Sequence, residues 1–320
     1  MNHETEPQPT QPPQLDEAPQ DHTPEIIPPW QPPAQFSPDS YDLAPPPIPE
    51  PVSHLIPNLG HAIIFFVLVL LMLAIGQGIG LILIQQTHLF GNHTLGSLAR
   101  MSADDPRLAL PVQGLSYALV AIAAIPAFSL LWRRPFAEGI QWNAETAKRR
   151  FALLIILGLA SGFGIGAFGS FLPMPKDAPI VQDLMQSQLG AWMMLFFGIT
   201  AAPLLEELAF RGFLLPGLIN TFRWMAQEGK ISEATVKGIG IPLSILITSA
   251  GFAYMHSPQV SHAWGPLVLI GTVSIVLCIV RLTMKSLAAS VIVHSAYNFT
   301  LFAGMLIQTG GFRHLERMTN

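Results

Sequence analysis

The sequence predicts an all-α integral membrane protein with about seven transmembrane helices and a disordered N-terminal tail. Half of its 320 residues are hydrophobic and only 11% are charged, whereas about a quarter of the residues in a soluble domain are charged. No Lys or Arg precedes Arg100, while 17 of the 29 prolines and 9 of the 20 acidic residues lie in the first 57 positions. The chain therefore divides into a polar segment that cannot bury a core and a long apolar segment.

The polar segment, residues 1–57, is rich in proline, with runs such as IIPPWQPP and APPPIPEP. Proline fixes φ and removes a hydrogen-bond donor, so this composition favours extended, solvated chain. A disordered acidic tail without a specific partner is one interpretation. The other is a docking segment for a proline-recognising partner, with Trp30 as an anchor.

The apolar segment contains seven stretches of spanning length, about twenty residues each. We predict helices for all of them, because unpaired backbone cannot face lipid. They lie at about 59–86, 110–132, 151–173, 190–219, 238–257, 264–283 and 286–308. An eighth, shorter amphipathic helix could occupy part of 179–188. This divides the chain into the tail, N-terminal transmembrane helices at 58–185, a core at 186–310 and a C-terminal tail at 311–320.

The distribution of basic residues predicts the orientation. The loop 133–150 carries five basic residues and is expected in the cytoplasm, together with 220–237 and 281–285, which includes Arg281 and Lys285. The N-terminus is then cytoplasmic and the C-terminus faces out. The net charge of −4, without a basic stripe, does not indicate nucleic acid as a partner.

The fourth stretch carries three charged residues, in the sequence PLLEELAFRGFLL. Each ionised group near the bilayer centre costs roughly 3 kcal/mol on insertion scales, so these side chains should face protein or a wet cavity. Glu207 and Arg211 are four residues apart and can form a structural ion pair. Glu206 points about 100° away from Glu207 and is left for another role. The alternative is an inert ion-pair cluster of all three.

Two later helices carry polar residues at the same i, i+4 spacing. Phe252 and His256 share a face in GFAYMHSP, and His294 and Asn298 share a face in VIVHSAYNF. A carboxylate can take a proton from water, a histidine can hold that water, and His and Asn donors can stabilise an oxyanion. This set therefore suggests hydrolysis. Counting helical rise places Glu206 and His256 in opposite halves of the membrane, so a kink or a shifted boundary must bring them together.

Other intramembrane protease designs fit poorly. The sequence has no His-Glu-x-x-His zinc motif, no Gly-x-Ser-x-Gly around Ser249 and no Gly-x-Gly-Asp.

The three motifs, in this order, resemble those of the CAAX protease and bacteriocin-processing (CPBP) family of intramembrane proteases, which includes the type II CAAX prenyl endopeptidases. The resemblance covers about 190–300 and implies a membrane-embedded active site. It implies that Glu206 activates water with His256 as its partner. It also implies that His294 and Asn298 stabilise the oxyanion, that Glu207 and Arg211 occupy motif positions, and that Phe252 packs against the site.

The resemblance leaves the cofactor and substrate open. Members are often labelled metalloproteases, and zinc could be bound by Glu206, His256 and His294. We favour no metal, because Asn298 is a poor zinc ligand and a good hydrogen-bond donor. We expect a multi-pass protein of a bacterial cytoplasmic membrane that cleaves a peptide or protein at the bilayer. The alternatives are a non-catalytic scaffold or bacteriocin self-immunity protein and, less favoured, a proton-coupled transporter.

Overall fold

Helices make up the regular structure in the part of the chain that the computed structural model describes, residues 55–175 and 187–318. These residues belong to the unit His54–Asn320. Seven continuous helical spans in these residues are long and apolar enough to cross a membrane, and the described residues contain no β-strand. The predicted fold class is therefore confirmed.

The helices are numbered α1–α13 in chain order, with π and 3₁₀ segments given by their ranges. They are α1 Leu59–Thr87, α2 Leu95–Asp104, α3 Pro106–Trp132, α4 Phe136–Gly139, α5 Ala144–Arg149, α6 Phe151–Gly169, α7 Gln188–Ile199, α8 Ala201–Glu207, π Leu208–Leu214, α9 Leu215–Gln227, α10 Glu233–Thr235, π Val236–Gly240, α11 Ile241–Met255, 3₁₀ Ser257–Val260, α12 Trp264–Met284, α13 Leu287–Gln308 and 3₁₀ Leu315–Met318.

Some predicted boundaries differ from the observed ones. The second span begins at Pro106, with Asp105 as its N-cap, rather than at 110. The fourth span runs from Gln188 to Gln227. Most of the predicted tail and of the short helix at 179–188 lies outside the described residues. The last residues of the predicted tail belong to the packed unit, because Ile56 contacts the core and the Pro57 carbonyl accepts a hydrogen bond from Asn220 Nδ2 at 2.8 Å.

Aromatic side chains fill the core between the first spans and the fourth. The Phe65 and Phe213 rings stack with centroids 4.1 Å apart, and Phe128 lies 4.7 Å from Phe213. Large apolar side chains also cover the outside, where Leu130 is 79% exposed and Phe163 74% exposed. An apolar exterior around an aromatic core is what a bilayer requires of a helix bundle, since the lipid tails cover it.

Helix α6 packs closely against α13 at two of its glycines. A Cβ atom added to Gly158 would lie 2.5 Å from Ala296 Cβ and 2.6 Å from the Val293 carbonyl oxygen. A Cβ atom on Gly162 would collide with the Thr300 side chain. Small residues allow this close approach of membrane helices, so the glycine-rich third span serves contact with α13.

Two π-helical segments precede prolines. The Leu215 N–H donates to the Phe210 carbonyl, one residue before Pro216, and the Ile241 N–H donates to the Val236 carbonyl, one residue before Pro242. Proline has no N–H and its ring clashes with the preceding turn of an α-helix. The wider i→i+5 register accommodates it, and such segments often occur at functional sites.

Candidate active site

Three helical elements place a carboxylate and two imidazoles together. Glu206 is on α8, His256 follows the last residue of α11, and His294 lies on α13. Glu206 Oε1 is 3.8 Å from His256 Nε2, and Glu206 Oε2 is 3.7 Å from His294 Nε2. These distances are too long for direct hydrogen bonds. The two Nε2 atoms therefore face the Glu206 carboxylate across short gaps.

The orientation of His256 is set by its own helix. Its Nδ1 lies 2.8 Å from the carbonyl oxygen of Phe252. A carbonyl only accepts hydrogen bonds, so Nδ1 carries a proton, and Nε2 is the ring nitrogen that faces Glu206. His256 can take this position because α11 ends at Met255 and the chain turns into a 3₁₀ helix.

His294 is oriented by Glu207. The Glu207 side chain is completely buried, and its Oε1 accepts hydrogen bonds from Arg211 Nη1 at 2.7 Å and from His294 Nδ1 at 2.9 Å. Glu207 paired with Arg211 is a carboxylate and only accepts, so Nδ1 of His294 carries a proton as well. The ion pair inside the fourth span thereby directs His294 Nε2 towards Glu206.

Arg211 is itself held by two further elements. Its Nη2 donates to the Ser274 carbonyl at 3.0 Å and to Ser274 Oγ at 2.6 Å. Its guanidinium lies 4.6 Å from the centroid of the Phe252 ring. That ring also contacts His256 and His294, with centroids 4.6 and 5.8 Å apart. Phe252 therefore packs at the centre of the cluster.

Asn298 lies one turn beyond His294 on α13. Its Nδ2 donates to the Gly198 carbonyl at 2.7 Å, which connects α13 to the end of α7. An amide group has two N–H bonds. The second N–H of Asn298 is available to another acceptor.

The predicted conflict in depth between Glu206 and His256 is resolved. Rise counting assumes straight α-helices, whereas the fourth span breaks at Thr200, with φ −126° and ψ −80°, and becomes π-helical at Leu208. The two side chains meet at 3.8 Å.

A zinc ion, the alternative considered from the sequence, would be bound by Glu206, His256 and His294. Within residues 55–175 and 187–318, no group of three or more His, Cys, Asp and Glu side chains is placed to hold a metal ion.

Sequence reasoning missed two polar residues that support the site. Ser274 is buried in α12 and binds Arg211, and nothing in its apolar context indicates this. Arg281, in the segment 281–285 that is expected on the cytoplasmic side, lies in the last turn of α12 and is 5% exposed. A lone arginine within a spanning helix is the signal that could have identified it.

The fold and this cluster define an integral membrane protein with a glutamate and two histidines enclosed among its helices. Residues 188–300, about a third of the chain, match the family model described as Type II CAAX prenyl endopeptidase Rce1-like. This confirms the resemblance and is consistent with a CPBP-family protease. No curated protein and no solved structure matches the chain. The family match points to a protease of the CAAX type that acts on peptide substrates in the membrane.

Proposed function

We propose that this protein is an intramembrane endopeptidase that hydrolyses a peptide bond with a water molecule activated by Glu206 and His256. The placement of the Glu206 carboxylate between two Nε2 atoms, at 3.8 and 3.7 Å, carries the proposal. A polar separation beyond about 3.5 Å can be bridged by a water molecule. The gap between Glu206 and His256 suits one such water.

The hydrogen-bonding roles fit this water. Glu206 can accept one of its hydrogens, and Nε2 of a neutral His256 can accept the other, because His256 Nδ1 already donates to the Phe252 carbonyl. As the water oxygen attacks the carbonyl carbon of the substrate, Glu206 takes its proton. Glu206 then gives this proton to the amide nitrogen as the C–N bond breaks.

His294 and Asn298 are the proposed donors to the oxyanion that forms during the attack. With protons on both nitrogens, His294 can donate from Nδ1 to Glu207 and from Nε2 to the oxyanion. Asn298 retains one N–H beyond the one bound to Gly198. Donors fixed before the reaction stabilise developing charge most effectively. The Glu207–Arg211 pair acts on the reaction through His294.

The proposed reaction contains no step at a metal ion. Zinc held by Glu206, His256 and His294 is the alternative, and metal content together with activity after chelation distinguishes the two.

The substrate we propose is a membrane-associated peptide or protein cleaved near its C-terminal or membrane-proximal segment. The name of the matching family makes prenylated peptides the first candidates. We also propose that the N-terminus lies in the cytoplasm and that the tail binds a proline-recognising partner.

The test compares purified full-length wild type with Glu206→Gln on a fluorogenic peptide ending in a CAAX sequence, with and without a farnesyl group. Glu138→Gln is the control, because Glu138 is exposed on α4. Loss of the general base should slow hydrolysis by about a hundredfold or more, and the control should match wild type.

A comparison of protein termini in membranes containing wild type or Glu206→Ala searches for natural substrates. Equal cleavage by the Glu206→Gln protein contradicts the role of Glu206. No Glu206-dependent cleavage in either assay would favour the non-catalytic scaffold or immunity protein.

A further inference from the structure

The π segment in the fourth span leaves one carbonyl group without a partner in its own helix. In an α-helix the Arg211 carbonyl would accept from the N–H of Leu215, but that N–H donates to Phe210. In the π register the next candidate is residue 216, which is proline and has no N–H. A buried carbonyl without a partner is destabilising, so it must be satisfied from outside the helix.

Arg281 supplies that missing hydrogen bond. Its Nε donates to the Arg211 carbonyl at 3.1 Å from the neighbouring helix α12. The remaining guanidinium nitrogens bind the segment before α5, with Nη1 donating to Gln141 Oε1 at 3.0 Å and Nη2 to the Ile140 carbonyl at 3.2 Å. None of the ion pairs formed by the described residues includes Arg281. The buried charge is therefore held by three neutral oxygens on two separate elements.

The second of these elements also controls α13. The Gln141 carbonyl accepts from the Leu287 N–H at 2.9 Å, and the Trp142 carbonyl accepts from the Ala288 N–H at 3.2 Å. These are the first two N–H groups of α13, which have no partner within that helix. The segment 140–142 thus fixes the start of the helix that carries His294. Arg281 connects it to the π segment that begins one residue after Glu207.

We propose that Arg281 is a positioning residue that holds Glu206 and His294 at the separation needed for hydrolysis. The inference rests on the proposed function. Arg281 contacts neither glutamate nor histidine. It acts by fixing the π segment against the segment that caps α13. A shift of about 1 Å in reacting groups can cost about a hundredfold in rate, so loss of this connection should reduce kcat more than it changes KM.

The first comparison is between wild type, Arg281→Gln and Arg281→Lys on the farnesylated CAAX peptide. We expect Arg281→Gln to lower kcat about ten- to a hundredfold with KM changed less than about threefold, since Arg281 contacts none of Glu206, His256 and His294. Arg281→Lys keeps the charge and one donor and should recover part of kcat. Arg223→Gln is the control, because Arg223 is on α9 beyond the π segment and binds only Asn220 among the described contacts.

The second comparison uses Pro216 to separate positioning from general stability. Pro216→Ala restores an N–H five residues after Arg211, which can serve the same carbonyl in the π register. In the Arg281→Gln background it should raise the unfolding temperature without restoring kcat, because the connection to segment 140–142 is still missing. The inference is overturned if Arg281→Gln retains wild-type kcat. It is also overturned if Arg281→Lys recovers no kcat, or if Arg281→Gln/Pro216→Ala recovers it fully. Full activity of Glu206→Gln in the same assay would instead reject the proposed function.

Discussion

His294 donates from Nδ1 to Glu207 Oε1 at 2.9 Å, and the same oxygen accepts from Arg211 Nη1 at 2.7 Å. Glu207 thus connects an ion pair within the fourth span to the imidazole that faces Glu206. The two adjacent glutamates differ in their surroundings, because Glu207 is completely buried and Glu206 keeps a 16% exposed side chain. Substitutions of these residues should separate folding from activity.

Glu207→Gln should reduce the folded yield, whereas Glu206→Gln should not. Neutralising Glu207 leaves the buried Arg211 charge without its counter-charge, and breaking a buried pair costs about 3–5 kcal/mol. Glu206 forms no ion pair with Arg or Lys among the described residues, so its neutralisation has no such effect. The yield of monodisperse protein after detergent extraction and its unfolding temperature measure the difference. Similar values for the two variants would show that the Glu207–Arg211 pair does not stabilise the fold.

Asn298→Ala should lower kcat about a hundred- to a thousandfold, the usual loss for one oxyanion donor. The amount of metal bound per protein should be the same in the variant and in wild type, and wild type should remain active after exhaustive chelation. Elemental analysis and turnover of the fluorogenic peptide test this together. The unfolding temperature should be recorded alongside, because Asn298 also binds the Gly198 carbonyl. Stoichiometric zinc whose removal abolishes activity and whose return restores it would identify a metalloprotease.

The loop 133–150 and the N-terminal tail should be cytoplasmic. Single cysteines at Ser40 and Ala144, in a Cys278→Ala background, should react with a membrane-impermeant thiol reagent only after cells are opened. Ala144 is exposed at the start of α5 and accessible to such a reagent. Ser170, exposed after the last residue of α6, should react in intact cells and serves as the opposite control. The reverse labelling pattern would invert the topology.

The tail should be dispensable for hydrolysis. A truncated chain starting at Val52 retains every spanning helix and the Pro57 carbonyl that binds Asn220. It should insert into the membrane with the wild-type kcat, while any interaction of the tail is lost. Membrane extraction and peptide turnover measure both properties. Failure of the shortened chain to insert or to cleave would show that the tail belongs to the functional unit.

The seven spans were predictable because a run of about twenty apolar residues has few other uses. The motif residues were predictable because charged and imidazole side chains are costly in lipid. The contacts that position the motif residues were not predictable. Pro216 in the sequence indicates a distortion of the helix. It does not show that the Arg211 carbonyl is left unpaired or that Arg281 binds this carbonyl, because both depend on how α12 packs. Likewise, a straight-helix count could not bring His256 to Glu206, because it ignores the break at Thr200.

Gly158 and Gly162 also restrict the direction from which a membrane-borne substrate can approach. A molecule that diffuses within the bilayer passes between two helices where the side chains at their contact can swing aside. At Gly158 and Gly162 α6 offers no such side chain, since these glycines meet Ala296 and Thr300 directly. Parting the helices there would require two whole backbones to separate. We therefore expect a membrane-borne substrate to reach Glu206 between a different pair of helices.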